Sequence, residues 1–197
     1  MGTKGNGIFF AEGLTDLRTV GTLVCTSRFV AHAMAPEIQR EDPPKAIVEF
    51  GVGIGNVTRE IIKRLRPQDF FIGVDANEKF VELCRNNVAY AGGGLRVHIE
   101  HAFAQDIDRI LSKHQIQEVD EIVCTLPFRT LPRKDTREIL EKAKRILKRG
   151  GYFSFIRYVI APENKDVFRS LEDFEVVERK VVMRNFPPAE VVRMRKN

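Results

Sequence analysis

The stretch Ala46-Ile47-Val48-Glu49-Phe50-Gly51-Val52-Gly53-Ile54-Gly55-Asn56 is an apolar run that ends on an acid and an aromatic, then breaks into alternating glycines. Its first five residues read as a buried strand. Gly51, Gly53 and Gly55 allow a tight turn and a close approach of backbone to a ligand. Helix propensity resumes at once in residues 56–65, so the free N–H groups of a helix start face that turn. A second apolar run, Phe70-Phe71-Ile72-Gly73-Val74, closes on Asp75, twenty residues beyond Gly55. A carboxylate there can accept both hydroxyls of a ribose. Strand, glycine turn, helix and acid at this spacing make one βαβ unit suited to a nucleoside cofactor.

Working outward, the alternation continues. Residues 77–90 read as a helix, 95–100 as a third strand, 104–114 as a helix and 121–125 as a fourth strand. Residues 136–148 read as a helix, Arg149-Gly150-Gly151 as a turn, and 152–160 as a fifth strand. This order predicts an α/β fold, an open and mostly parallel sheet with helices on both faces. The end of the chain departs from it. After a short helix near 162–171, residues 174–184 and 189–195 read as strands flanking Asn185-Phe186-Pro187-Pro188, which predicts an antiparallel hairpin. Residues 46–197 are expected to form the core. Residues 1–45 are expected to form a helical segment across the sheet's carboxyl edge, one helix striped by Ile8, Phe9, Phe10, Leu14, Leu17 and Val20 and another over 29–38.

At 197 residues and 43% hydrophobic, the chain can bury a full core. No apolar stretch nears the roughly 20 residues of a membrane span, and no signal-peptide pattern is read at the start, so a cytoplasmic protein is expected. Cys25, Cys84 and Cys124 form no C-x-x-C pair and read as small buried apolar residues. No cluster of histidines and carboxylates has metal-ligand spacing, so no metal is expected. The formal charge of +5 and pI near 9.2 suit an anionic partner, nucleic acid or anionic lipid. Much of the excess lies in Lys142, Lys144, Arg145, Lys148 and Arg149 and in the C-terminal tail. It reads equally as a solvated surface and as a binding patch.

The run from Glu49 to Gly55, E-x-G-x-G-x-G, resembles motif I of class I S-adenosylmethionine-dependent methyltransferases and differs from the G-x-G-x-x-G of dinucleotide sites. The resemblance implies a Rossmann-like, seven-stranded, mostly parallel sheet with an antiparallel last strand. It implies S-adenosylmethionine as cofactor, contacted by Glu49, Gly51, Gly53, Gly55, Asp75, Ala104 and Thr125, with Glu49 near the cationic methionine moiety.

The fourth strand runs into Thr125-Leu126-Pro127-Phe128 at the crevice edge, where proline stiffens the turn and nearby carbonyls can accept from an amine. Phe128 can supply an aromatic wall for an ammonium product. The tetrapeptide resembles the Asn-Leu-Pro-Phe type motif of amino methyltransferases, including ribosomal RNA adenine dimethylases, with Thr125 in the asparagine position. Together with residues 20–28, Leu131-Pro132 and Asn185-Phe186-Pro187-Pro188-Ala189, it makes nearly the whole chain resemble the bacterial phospholipid N-methyltransferase family. Cys25 and Phe103 depart from that family's pattern.

That family implies methylation of an amine headgroup such as phosphatidylethanolamine, and peripheral contact with the inner face of the membrane. The candidate catalytic set is Thr125, Leu126, Pro127, Phe128 and Tyr158, with His101 a further proton acceptor and Arg28, Arg157 and Asn185 facing a phosphate. An RNA adenine N6-methyltransferase, a small-molecule amine methyltransferase and a non-catalytic cofactor-sensing module are the competing readings.

Overall fold

The structure, a computed structural model, describes residues 26–89, 95–159 and 169–197. Strands β1 (Ala46–Phe50), β2 (Phe70–Asp75), β3 (Arg96–His101), β4 (Val119–Cys124), β5 (Leu147–Tyr158), β6 (Phe174–Val182) and β7 (Ala189–Lys196) form one sheet in the order β3-β2-β1-β4-β5-β7-β6. β1 to β5 pair in parallel, and β7 runs antiparallel to both its neighbours. The expected mostly parallel sheet with an antiparallel closing hairpin is therefore the observed one. The order reverses between β1 and β4, and beyond the carboxyl ends of those strands an open α/β sheet forms its ligand crevice.

Alternation along the strands assigns the two faces. Val48, Phe50 and Ile72 pack with Ile107, Ile110 and Leu111 of α4 (Ile107–Lys113) and Ile139, Leu140 and Ala143 of α5 (Arg133–Ile146). Ile47, Phe71 and Val123 pack on the other face with α1 (Arg28–Met34), α2 (Asn56–Ile62) and α3 (Glu78–Val88). Successive side chains of β1 thus enter different cores, and all five are buried.

Several boundaries differ from the sequence reading, each for a local reason. α1 stops at Met34 because Ala35 precedes Pro36 and takes an extended ψ of 135°. Residues 104–106 form a 3₁₀ turn before α4 begins. α5 starts at Arg133, directly after Pro132. Arg149-Gly150-Gly151 is not a turn between elements. It lies inside β5, whose pairing with β4 jumps from Val119↔Leu147 to Glu121↔Tyr152 with Gly150 at φ 76°. Glycine supports that bulge, since a Cβ on Gly151 would sit 2.9 Å from the Asp120 carbonyl oxygen. The expected helix over residues 8–20 and most of that near 162–171 lie outside the described residues.

The approach to β1 hangs on Arg66. Its Nη1 donates to the carbonyls of Gln39 (2.8 Å), Arg40 (3.2 Å) and Asp42 (2.7 Å), and Nη2 to that of Pro43 (2.9 Å). The same guanidinium forks onto the fully buried Asp69, Nη2 to Oδ1 at 2.8 Å and Nε to Oδ2 at 3.0 Å. Arg66→Met leaves that carboxylate held only by the N–H groups of Lys45 and residue 66 and frees the four carbonyls, and should lower the urea midpoint. Adding Asp69→Asn should return part of the loss.

Candidate functional site

The glycine turn leaves β1 with Gly51, Gly53 and Gly55 at φ 83°, 50° and 89°, a region costly for other residues. The N–H groups of Gly51 and Val52 both donate to the Val74 carbonyl, at 2.8 and 3.3 Å. Each glycine answers a different need. A Cβ on Gly51 would lie 2.8 Å from Thr125 Oγ1 and 3.0 Å from Leu126 Cδ2, so here the close neighbour is the turn after β4. A Cβ on Gly55 would meet Cys84 Sγ at 3.0 Å, which is helix packing against α3. A Cβ on Gly53 would meet nothing within 4 Å, so its backbone faces open space.

Asp75 closes the far side. Its Oδ2 accepts from the Gly53 N–H at 2.9 Å and its Oδ1 from the Asn77 N–H at 2.9 Å. Burial pushes its carboxyl above the usual range, and the two backbone donors oppose that shift. The acid therefore braces the turn as well as standing beside it.

Glu49 lies beneath the turn with no exposed surface. Thr58 Oγ1 donates to its Oε2 at 2.7 Å, while Oε1 has no hydrogen-bond partner among the described residues. Burial, with the nearby Asp75 adding to it, pushes the carboxyl up to about 8 against the hydrogen bond from Thr58. A buried acid with an unused oxygen under a glycine turn is suited to a cation arriving from above. Thr58, which the sequence reading does not single out, and Cys84, which it reads only as a small buried apolar residue, adjoin Glu49, with Cys84 Sγ 3.5 Å from Thr58 Oγ1. Burial pushes the thiols of Cys84 and Cys124 up to about 12, as fits small buried residues. Cys25 lies outside the described residues.

Opposite, the turn after β4 is bolted to the glycine turn. The Thr125 N–H donates to the Phe50 carbonyl at 2.9 Å, and Thr125 Oγ1 donates to the carbonyls of Phe50 (3.2 Å) and Gly51. The hydroxyl is thus committed to structure. The Leu126 carbonyl accepts from the Phe128 N–H, and that of Pro127 from the N–H groups of Thr130 and Leu131. Among the described residues nothing donates to the Thr125 carbonyl. Phe128 is buried in the core on the α4 and α5 side, Leu126 packs against that core, and Ala104 is buried in it at the start of the 3₁₀ turn. Tyr158 is half-buried against the opposite core.

Other candidates stand away from the Thr125 turn. His101 ends β3 in register with Asp75, two strands from β1 on the side away from β4, with Nε2 3.1 Å from the Ala76 carbonyl oxygen, so it lies beside the acid of β2 and not beside Thr125. Arg157 is engaged by Glu190, and Asn185 accepts from the Ser27 N–H and donates to the Pro187 carbonyl. The Arg28 guanidinium stands 4.8 Å from the Phe29 ring centroid, joined at 5.1 Å by Arg184, which the sequence reading did not connect with it. The basic run along α5 and into β5 is mostly paired. Lys142 and Arg145 meet Asp108, Lys144 meets Asp173 at 2.8 Å, and Lys148 meets Asp120 at 3.0 Å. That favours the structural reading of this run over a binding patch.

Residues 47–151, just over half of the chain, match the family model described as a methyltransferase domain. The chain belongs to this methyltransferase family. An ornithine lipid N-methyltransferase of Singulisphaera acidiphila is 24% identical to it over 93% of the chain and 90% of the relative. TrmN from Thermus thermophilus superposes with a TM-score of 0.67 at 21% identity, over 86% of this chain and 49% of its own, so the methyltransferase spans about half of that protein. Magnesium protoporphyrin IX methyltransferase from Synechocystis, solved with bound S-adenosylmethionine, gives a TM-score of 0.63 at 11% identity over 100% of this chain and 87% of its own. These two likenesses bear on the fold alone. As a class I methyltransferase the protein uses S-adenosylmethionine, and the residues present fit it: an orphaned buried carboxylate oxygen for a cation and open space at Gly53 for the ligand.

Proposed function

We propose that this methyltransferase methylates the amine of a lipid headgroup, of the ethanolamine or ornithine kind. The observation that carries the reading is the likeness to the ornithine lipid enzyme, which runs over nearly the full length of both proteins and so extends beyond the methyltransferase domain itself. In this reading Glu49 and the turn at Gly53 hold the cofactor's methionine end, and Asp75 holds its ribose.

When bound, S-adenosylmethionine supplies a methyl group already activated on a sulfonium. The chain's own residues then have to bring a neutral amine in line with it and exclude water. Orientation of this kind is worth on the order of 7 kcal/mol or more. The Thr125 carbonyl is the acceptor that would hold an amine N–H at the crevice edge, because its neighbours' carbonyls are occupied within the turn. The Thr125 hydroxyl and Phe128 serve by fixing that turn to the glycine loop and to the core.

The test is incubation with methyl-labelled S-adenosylmethionine and a cell extract, followed by separation into lipid, RNA, protein and small-molecule fractions. Label on a lipid headgroup nitrogen is the expected outcome. Label confined to RNA would reject the acceptor and leave the methyltransferase assignment in place.

A further inference from the structure

The β6–β7 hairpin carries an exposed apolar tip that the site does not use. Phe186 is 90% exposed and Met183 72%, with Val181 and Val159 each about half exposed beside them. Large side chains left in water at one end of one hairpin mark an interaction surface.

Its place in the fold is specific. β5 runs three residues past Phe155, the partner of Cys124 at the end of β4, and Tyr158 pairs with Ala189 at the start of β7. The tip therefore stands at the carboxyl edge of the sheet, the edge on which the crevice opens, with β7 two strands beyond β4. It is also held in shape, since Asn185 is buried, donates to the Pro187 carbonyl at 2.7 Å and accepts from the Ser27 N–H at 3.1 Å.

Between residues 179 and 186 the hairpin carries Arg179, Lys180 and Arg184 and no acid, while Glu175 and Glu178 sit toward the other end of β6. On β7 the buried Glu190, opposite Val181, engages Arg157 and Arg179, so Lys180 and Arg184 are the hairpin cations nearest the tip that no carboxylate among the described residues engages. Arg28 adds a further cation, because it and Arg184 share the Phe29 ring. Among the described residues neither of those two guanidiniums has a carboxylate partner. Apolar side chains ringed by cations suit the boundary between anionic headgroups and acyl chains. A second copy pairing along the edge strand β6 is disfavoured by the register shift between Val176 and Glu178 and by the charges on that strand.

We infer that the 183–186 tip docks the enzyme on an anionic bilayer, with Phe186 and Met183 entering the acyl boundary and Arg28, Lys180 and Arg184 facing lipid phosphates. The inference rests on the headgroup reading for its purpose, since a lipid acceptor must be lifted from a bilayer to the crevice edge, and its test is independent of that reading.

The chain has no tryptophan, so Phe186→Trp introduces a single indole at the tip. Its emission should shift to the blue and be quenched by brominated acyl chains on vesicles of phosphatidylethanolamine with phosphatidylglycerol, and not on phosphatidylcholine vesicles. Lys180→Gln with Arg184→Gln, and separately Met183→Ser with Phe186→Ser, should each lower cosedimentation with the anionic vesicles by about tenfold. Both pairs should leave S-adenosylmethionine binding unchanged. Cosedimentation without a blue shift would overturn the assignment by moving docking to another face. A blue shift on raising protein concentration without vesicles would overturn it by making the tip a self-association surface. Docking that persists while no headgroup is methylated in detergent micelles would support the tip and count against the acceptor.

Discussion

Glu49→Gln is expected to flatten the pH dependence of both stability and cofactor binding. The Glu49 carboxyl is pushed up to about 8 from an ordinary 4.5, chiefly by burial. In the unfolded chain it ionises near the lower value, and in the folded chain near the higher. Between the two only the folded state holds the proton, so stability is full at the acid end, falls as pH rises and levels off above about 8. At about 1.4 kcal/mol per pH unit, the loss over that interval is on the order of 4–5 kcal/mol. The glutamine variant carries no such term and should melt above the wild type at alkaline pH, even after the cost of its buried amide.

Cofactor binding should respond in the opposite sense. In the proposed site the cofactor's sulfonium and ammonium would lie near Glu49 and favour its ionised form, so wild-type affinity should rise with pH, by up to about tenfold per unit below the Glu49 value, and flatten above it. Titration calorimetry in buffers of different ionisation enthalpy should detect the proton released. Glu49→Gln should bind more weakly at alkaline pH and release none. The same pH slope in both proteins would remove Glu49 from the cofactor site.

Gly51→Ala and Gly53→Ala should separate structural from ligand-facing roles within one turn. At Gly51 the added methyl meets Thr125 Oγ1 at 2.8 Å and Leu126 Cδ2 at 3.0 Å, on a backbone at φ 83°. Conformation and overpacking together should cost about 2–4 kcal/mol without any ligand. At Gly53 the methyl meets nothing within 4 Å, at φ 50°. There the cofactor-free protein should lose only about 1–2 kcal/mol, while S-adenosylmethionine affinity drops by tenfold or more because the methyl occupies the open face of the turn. Urea unfolding without cofactor, set beside dissociation constants, measures both. Equal destabilisation by the two variants, with Gly53→Ala binding as the wild type does, would sink the assignment of Gly53 to the ligand side.

The βαβ unit around Glu49–Asp75 and the closing hairpin were legible in the sequence because they rest on short-range rules. Glycines at 51, 53 and 55 can take positive φ at little local cost, and five consecutive buried residues in β1 reflect a strand covered on both faces. The bulge at Gly150 and Gly151 was misread as a turn, since a glycine pair signals a bend without saying whether pairing resumes in the same strand.

What the sequence by itself determined is the class of fold, the glycine turn and its flanking acids, features of residues near one another in the chain. Only the tertiary structure decided that Thr58 caps Glu49, that Thr125 spends its hydroxyl on the Phe50 and Gly51 carbonyls, that Asp108 and Asp120 engage cations of α5 and β5, and that Arg184 joins Arg28. Each of these joins residues of different elements. Burial and electrostatic partnership arise between elements that meet only when the sheet is assembled, and local propensity carries no record of which elements will meet.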